Sequence, residues 1–197
     1  MTSVEPGPVP PPHVASRWVR DIDRAGESLA GRLRGRATAD RAMYALSEAG
    51  THSSVWHGIN LFDAVVGTVA DRPHQRRQAL RRSGIQIVEQ AIVNGPVKMV
   101  FRRSRPGVIT DHPHSLRAPR TSSFPSGHAS AGFCAATLLA ADLGHPVIWY
   151  GLATSVAWSR VHVGVHHPSD IVGGAMVGVT LAKLATRIWP PPSARRR

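Results

Sequence analysis

Two cations seven residues apart open the part of the sequence that could do chemistry. Lys98 is followed by six residues and then by Arg105 and Pro106. Seven residues make about two helical turns, so both cations would lie on one face if the helix continues, and Pro106 is a natural stop. Such a pair could bind an anion. Arg102 and Arg103 make the region basic throughout, however, which is also typical of a solvated helix end.

A second cluster, Pro125-Ser126-Gly127-His128, leads directly into an apolar run that begins near Ala129. Proline, serine and glycine at a helix start leave backbone N–H groups free at the positive end of the helix dipole, which favours phosphate binding. His128 would stand beside the bound anion, where an imidazolium can donate a proton to a departing oxygen. The same residues would also serve as an ordinary helix N-cap.

The third cluster is Ser159-Arg160, five residues, His166, three residues and Asp170. The carboxylate can meet the imidazole around the turn at Pro168, which would fix the tautomer and leave the other ring nitrogen free to attack. Arg160 closes an otherwise uncharged segment and would be costly to bury unless it pairs with an anion. This cluster therefore has the composition of an oriented nucleophile beside an anion site.

Helices must position all three clusters. The first cluster closes a helix, the second opens one, and the third spans the end of one helix and the start of the next. Successive membrane helices alternate in direction, so the three clusters are expected at one end of the bundle. The predicted membrane segments are 53–70, 85–101, 129–143, 146–159 and 171–182, with a basic connector at 71–82.

These segments predict an all-α fold: a multi-pass transmembrane bundle of about five membrane helices plus an N-terminal interfacial helix. The last three segments are rich in small residues, including Gly174 and Gly178, which lets helix backbones approach closely. A mean hydropathy of −0.13 keeps a soluble all-α bundle open as the alternative. The cell membrane, in a multi-pass arrangement, is the expected location, and the spans leave open which side carries the clusters.

Three regions are predicted along the chain. Residues 1–41 form a Pro-rich, disordered start followed by a basic segment, Arg17 to Arg41, that fits an interfacial amphipathic helix or a solvated basic tail. Residues 42–190 form the membrane domain, and residues 191–197 form a basic tail. The single cysteine, Cys134, lies in an apolar run, excludes an intramolecular disulfide and is expected to pack in the core.

Together the three clusters resemble the three-part signature of the type 2 phosphatidic acid phosphatase family, and no signature position departs from it. That family includes membrane lipid phosphate phosphatases and shares its core with soluble acid phosphatases and vanadium haloperoxidases. The resemblance implies that His166 attacks phosphorus to form a phosphohistidine, that Asp170 orients it, and that His128 protonates the leaving group. It implies that the phosphate oxygens are held by Lys98, Arg105, Ser126, Gly127 and Arg160.

The expected ligands follow from this resemblance and from the charge. Twenty-four Lys and Arg against twelve Asp and Glu give a net charge of +12, and phosphoryl transfer needs cations around the phosphoryl oxygens. Lysine and arginine can supply these, so we expect no metal and no cofactor. We expect a lipid phosphate substrate and a membrane, and no nucleic acid, because the arginines are scattered over several segments rather than concentrated on one recognition helix. The oligomeric state stays open.

Two alternatives to a membrane lipid phosphatase remain at this point. A general acid phosphatase acting on small phosphomonoesters fits if the chain is soluble, and a catalytically silent membrane scaffold fits if the clusters are only structural. His162 and His167 are interpreted as pocket lining or surface. His112 and His114, in the Arg-rich loop, are expected to touch substrate.

Overall fold

The structure is a computed structural model that describes residues 17–106 and 121–192, and these residues form helices and connecting segments with no β-strand. The helices are α1 (Arg17–Leu33), α2 (Ala37–Ala49), a 3₁₀ turn (Thr51–Ser53), α3 (Ser54–Val69), α4 (Pro73–Ile92), a π-helical turn (Val93–Val97), α5 (Lys98–Val100), α6 (Gly127–Leu143), α7 (Pro146–His162) and α8 (Pro168–Ile188). The predicted all-α class is thus observed in the described residues.

Helix α6 lies at the centre of the bundle, packed between α7 and α8. Its backbone approaches α8 closely at Gly178, where an added Cβ would lie 2.1 Å from the carbonyl oxygen of Ser130. Gly174 makes a similar approach to the carbonyl of Ser126. Since helices in a membrane gain little from the hydrophobic effect, close backbone packing of small residues is what joins them. The packing role predicted for the Gly174–Gly178 pair is therefore observed.

We expect Gly178→Ala to destabilise the bundle, because the added methyl group overlaps a backbone atom that cannot move freely. Overpacking of this kind costs about 1–3 kcal/mol. Gly151→Ala is the matched control, since Gly151 is also helical but has nothing within 4 Å of the added Cβ. Thermal unfolding in detergent should show a lower Tm for the first variant only. Equal Tm values for the two variants would contradict this packing.

A buried ion network ties α3, α4 and α6 together at the end of the bundle formed by the C-termini of α3 and α6. The guanidinium of Arg82 donates to Asp142 at 3.0 Å and to Asp63, and its Nε donates to Asn60 at 2.9 Å. Arg81 is buried beside it. The predicted basic connector at 71–82 is therefore wrong: α4 begins at Pro73, and Arg81 and Arg82 are core residues because distant carboxylates neutralise them.

The predicted apolar segment 85–101 does not form one continuous helix. Regular α-helix ends at Ile92, the π turn contains Pro96, and the last helical residue is Val100. Proline lacks a backbone N–H and its ring crowds the preceding turn, which explains the change of helical geometry. The condition for Lys98 and Arg105 to share one helical face is therefore not met, because Arg105 follows the end of the helix.

The outward faces of the long helices are apolar and exposed. More than half of the side-chain surface is exposed at Leu61, Phe62, Val65, Val69, Ile87, Val88, Val147, Ile148, Met176 and Ile188. Exposed apolar surface on this scale is typical of contact with a membrane or another protein. Among the described helices, α8 is the one whose length and hydropathy, 21 residues and 1.4, suffice for a membrane span.

The basic segment Arg17 to Arg41 forms parts of two helices rather than one interfacial helix. A turn at Gly35, with φ of +83°, separates α1 from α2, and α1 packs against α7 and α8. The boundary predicted after residue 41 falls within α2. The Pro-rich start and the Arg195 to Arg197 tail lie outside the described residues. Cys134 is fully buried, in agreement with a packing role.

Candidate active site

The ends of five helices enclose a cavity of about 590 Å³. Six of the eight predicted site residues line it: Lys98, Arg105, Gly127, His128, Arg160 and His166. The other two, Ser126 and Asp170, are fully buried immediately behind its wall. The remaining lining residues are Glu48, Gly50, Thr51, His52, Gln90, Asn94 and Thr121. The structure therefore brings the three sequence clusters together around one volume.

The anion site predicted at the second cluster coincides with the start of α6. Ser126 is the N-cap, with its hydroxyl accepting from the backbone N–H of Ala129 at 3.4 Å. Its own N–H donates to the carbonyl of Asp170 at 3.0 Å, which joins the start of α6 to that of α8. The first N–H groups of α6 thus lie beside the cavity, where the helix dipole favours a phosphate.

His166 lies in the short segment between α7 and α8 and is 2% exposed. Its Nδ1 lies 3.5 Å from Oδ2 of Asp170, a long separation that catalytic hydrogen bonds commonly shorten when substrate binds. The backbone N–H of His167 donates to the same oxygen at 2.8 Å and holds the carboxylate in place. Nε2 of His166 lies 3.3 Å from a guanidinium nitrogen of Arg105. This nitrogen therefore faces the cations of the cavity.

Burial, helped by the nearby cations Arg105 and Arg160 and opposed by Asp170, lowers the pKa of His166 to about 4. A neutral imidazole is the form that can attack phosphorus. At pH 5 most His166 side chains are therefore neutral, whereas an imidazole of ordinary pKa, about 6.5, would be mostly protonated.

We accordingly expect the acid limb of kcat/KM to lie near pH 4, with activity at pH 5 close to its plateau. The pH profile of kcat/KM reports ionisations of the free enzyme and free substrate, so the substrate phosphate must be titrated in parallel. An acid limb near pH 6.5 that is not due to the substrate would show that His166 titrates as an exposed histidine.

Hydrogen bonds hold two of the cavity's cations, Arg160 and Arg105, in place. Arg160 donates to the hydroxyl of Ser47, and no salt bridge joins Arg160 or Lys98 to an acidic group within residues 17–106 and 121–192. Arg105 donates to the carbonyl of Val165 at 2.8 Å. Positive charge in a largely buried cavity is costly unless an anion enters. The charges of Lys98 and Arg160 therefore favour an anionic group in the cavity.

His128 completes the wall at the first turn of α6. Its Nε2 lies 3.3 Å from the carbonyl oxygen of Ser47, at the end of α2. If that nitrogen carries a proton, it donates a hydrogen bond to the carbonyl oxygen, and this fixes the orientation of the ring. Ser47 thus supports both His128 and Arg160, and the sequence pattern contained no signal for this residue.

Two histidines do not belong to the cavity. His162 is buried behind it, where its Nε2 lies 2.7 Å from Asp40, so the interpretation of His162 as pocket lining or surface is wrong. His167 is the N-cap of α8, with a reciprocal capping box to Asp170, and lies outside the cavity lining. His112 and His114 lie outside the described residues. Within residues 17–106 and 121–192, no group of three or more His, Cys, Asp or Glu is placed to hold a metal ion.

A helical fold that gathers cations and a buried histidine at a helix N-terminus defines an enzyme of phosphoryl transfer. The chain belongs to the PAP2 superfamily, whose family model matches residues 83–192, and is a phosphatase of that superfamily. The resemblance inferred from the three clusters is thereby confirmed.

Similar proteins include the decaprenylphosphoryl-5-phosphoribose phosphatase of Mycobacterium tuberculosis (strain ATCC 25618 / H37Rv), which is 34% identical over 148 residues, 73% of this chain and 76% of that protein. The putative undecaprenyl-diphosphatase YbjG of Escherichia coli (strain K12) is 32% identical over 119 residues, 58% of this chain and 59% of that protein.

Among solved structures, the fold is similar to that of a transmembrane PAP2 type phosphatidylglycerolphosphate phosphatase from Bacillus subtilis. The TM-score is 0.65 and the identity 22%, over 93% of this chain and 92% of that one. LpxE of Aquifex aeolicus is also similar, with a TM-score of 0.58 and 22% identity, over 86% of this chain and 93% of that one. At this identity the likeness shows the fold.

Proposed function

We propose that this protein is a membrane phosphatase that removes a terminal phosphate from a polyprenyl-linked substrate through a phosphohistidine on His166. The observation that carries the proposal is the position of Nε2 of His166, which faces a cation-lined cavity at the N-terminus of α6. A nucleophile, cations for the phosphoryl oxygens and a proton donor thereby surround one volume. Phosphoryl transfer requires little more than this positioning and charge.

The reaction proceeds in two steps. Nε2 of His166 attacks phosphorus, the bond from phosphorus to the leaving oxygen breaks, and His128 gives that oxygen its proton. Water then attacks the phosphohistidine and gives a proton to His128, the phosphorus–nitrogen bond breaks, and inorganic phosphate leaves. In both steps Lys98, Arg105 and Arg160 hold the equatorial oxygens with the first N–H groups of α6, and Asp170 stabilises the imidazole. Ser126 and Gly127 supply that helix start.

A polyprenyl-linked sugar phosphate is the preferred substrate class. One relative, the decaprenylphosphoryl-5-phosphoribose phosphatase of Mycobacterium tuberculosis, is 34% identical over 73% of the chain. The side of the cavity formed by the α2–α3 junction and the end of α4 carries Glu48, Thr51, His52, Gln90 and Asn94. These side chains can donate and accept hydrogen bonds, which suits the hydroxyl groups of a sugar next to the phosphate.

A polyprenyl diphosphate is the second candidate, supported by the likeness to the putative undecaprenyl-diphosphatase YbjG. Its reaction would use the same histidine and the same cations, with a phosphate oxygen as the leaving group. The two substrates differ at the polar side of the cavity, whose five side chains can hydrogen-bond to a sugar but include the carboxylate of Glu48 and no Lys or Arg for a second phosphate.

The same proposal places the protein across the cell membrane. Helices α3, α4, α6, α7 and α8 would form five spans, supported by their exposed apolar faces and by the transmembrane neighbour of known structure. Helix α1 would lie at the interface, since Trp18 and Leu29 are 64% and 51% exposed between arginines. Residues 42–190 would make up the membrane phosphatase domain, with the cavity at one membrane face.

Substrate preference is tested with detergent-purified protein in EDTA, by measuring phosphate release from a decaprenyl-linked pentose phosphate, undecaprenyl diphosphate, phosphatidate and p-nitrophenyl phosphate. We expect the highest kcat/KM for the sugar phosphate. Asn94→Ala is the matched variant, expected to reduce that preference and to leave p-nitrophenyl phosphate hydrolysis near wild type. A higher kcat/KM for the diphosphate would promote the second candidate, and a preference for small phosphomonoesters would favour a general acid phosphatase.

A further inference from the structure

The side chain of Arg103 joins the start of α8 to the N-terminal helix α1. One guanidinium nitrogen, Nη1, donates to Oδ1 of Asp170 and to the hydroxyl of Ser169, both at 2.6 Å. The other, Nη2, donates to Oδ2 of Asp23, also at 2.6 Å. Arg103 thus bridges a carboxylate at the proposed nucleophile and a carboxylate 147 positions earlier in the chain.

Helix α1 is docked to α8 independently of that bridge. The second oxygen of Asp23 accepts from the backbone N–H of Ser169 at 2.8 Å, at the positive end of α8. The two helices are also tightly packed at Gly26, where an added Cβ would lie 2.4 Å from the ring of Pro168. Asp23 is therefore fixed by the helix that carries Asp170. This part of α1 lies before residues 83–192, the region matched by the family model.

The backbone of Arg103 is also fixed. Its N–H donates to the hydroxyl of Ser122 at 3.2 Å, and its carbonyl accepts from the N–H of Ser123 at 3.0 Å. These bonds hold the segment after α5 against the segment before α6. The guanidinium therefore reaches Oδ1 of Asp170 from a defined direction, whereas His166 meets the other carboxylate oxygen, Oδ2.

We propose that Arg103 and Asp23 are positioning residues of the phosphatase: Arg103 orients the carboxylate of Asp170 toward His166, and Asp23 orients Arg103. The inference rests on the proposed function, in which His166 is the nucleophile. With Oδ1 held by Arg103 and Oδ2 held by the N–H of His167, the carboxylate cannot rotate. His166 thereby keeps the ring orientation that directs Nε2 into the cavity.

The bridge also sets the charge that His166 experiences. The groups around its ring are Asp170 from α8, Arg105 from the segment after α5, Arg160 from α7 and His128 from α6. Arg103 partly neutralises Asp170 from behind. Without this guanidinium, the carboxylate attracts an imidazolium proton more strongly, and the pKa of His166 rises. A purely structural contact would not change the pH profile in this direction.

The test compares four variants of the full-length protein in detergent, with a decaprenyl-linked pentose phosphate as the probe. Arg103→Gln should lower kcat by about 10–100-fold, as expected for loss of a supporting partner, and should move the acid limb of kcat/KM to higher pH. Asp23→Asn should lower kcat by about tenfold with KM changed less than about threefold. Asp21→Asn is the matched control on α1, because its exposed pair with Arg24 lies away from α8.

The fourth variant carries both Asp23→Asn and Arg103→Gln. If Asp23 acts through Arg103, the double variant matches Arg103→Gln alone, since the second change removes nothing further. Additive losses in kcat, or an Asp23→Asn enzyme equal to Asp21→Asn, would overturn the proposal. If Arg103→Gln yields no folded protein, Arg103→Lys replaces it in the cycle with the same expectation for kcat. A wild-type protein that releases no phosphate from any substrate contradicts the proposed function instead.

Discussion

His166→Ala is expected to lower phosphate release by at least about 10³-fold, because it removes the only group proposed to form the bond to phosphorus. The cations and the start of α6 remain in this variant. It should therefore still bind an anion, and vanadate or phosphate should protect it from thermal unfolding as it protects the wild type. The measurement pairs initial rates in EDTA with the ligand-dependent shift in Tm.

The control is His145→Ala, which removes an exposed histidine at the opposite end of α7 and should leave activity unchanged. Loss of both activity and anion protection in His166→Ala would indicate a collapsed cavity rather than a missing nucleophile. Retention of activity within about tenfold would contradict nucleophilic catalysis by His166.

His128→Ala is expected to have the second largest effect, and the effect should depend on the leaving group. A lipid or sugar alcohol leaves as a strongly basic alkoxide unless it is protonated, so the loss of a general acid should cost about 10²–10⁴-fold in kcat. p-Nitrophenolate needs no proton to leave. Its release should therefore fall far less in the same variant, and the ratio of the two rates is the quantity to measure.

Ser47→Ala separates proton transfer from support of the cavity. It keeps the backbone carbonyl that contacts His128 and removes the hydroxyl that contacts Arg160. Ser47→Ala should therefore lower the rates of phosphate release from the lipid-linked substrate and from p-nitrophenyl phosphate by a similar factor. An equal loss for both substrates in His128→Ala would show that His128 supports the cavity and does not donate the proton.

The sequence predicted those parts of the site that depend on local spacing at helix ends. Ser126, Gly127 and His128 follow one another at the start of α6, and His166 and Asp170 flank the turn into α8, so their proximity follows from short-range geometry. Convergence of the clusters followed from the alternating direction of the helices. The family resemblance and the all-helical fold followed from the same residues.

Contacts between distant segments were not predictable in this way. Asp23 and Ser47 support the proposed catalytic residues from helices α1 and α2, which no motif connects to them. Arg103 lies within the first cluster, but at one of its six unspecified positions. Arg81 and Arg82 were assigned to a connector because arginine is usually exposed, and only the fold shows the carboxylates that neutralise the pair. The end of regular α-helix at Ile92 likewise depends on how the Pro96 turn packs.

Trapping the phosphorylated intermediate tests the central claim most directly. Protein mixed with substrate labelled at the terminal phosphate and quenched in alkali within milliseconds should carry the label on the peptide that contains His166. The attached phosphate should be stable to alkali and labile to acid, as expected for a phosphorus–nitrogen bond, and should be absent from His166→Ala. Label on a serine or another histidine, or turnover by direct attack of water with no labelled protein at any quench time, would contradict the account.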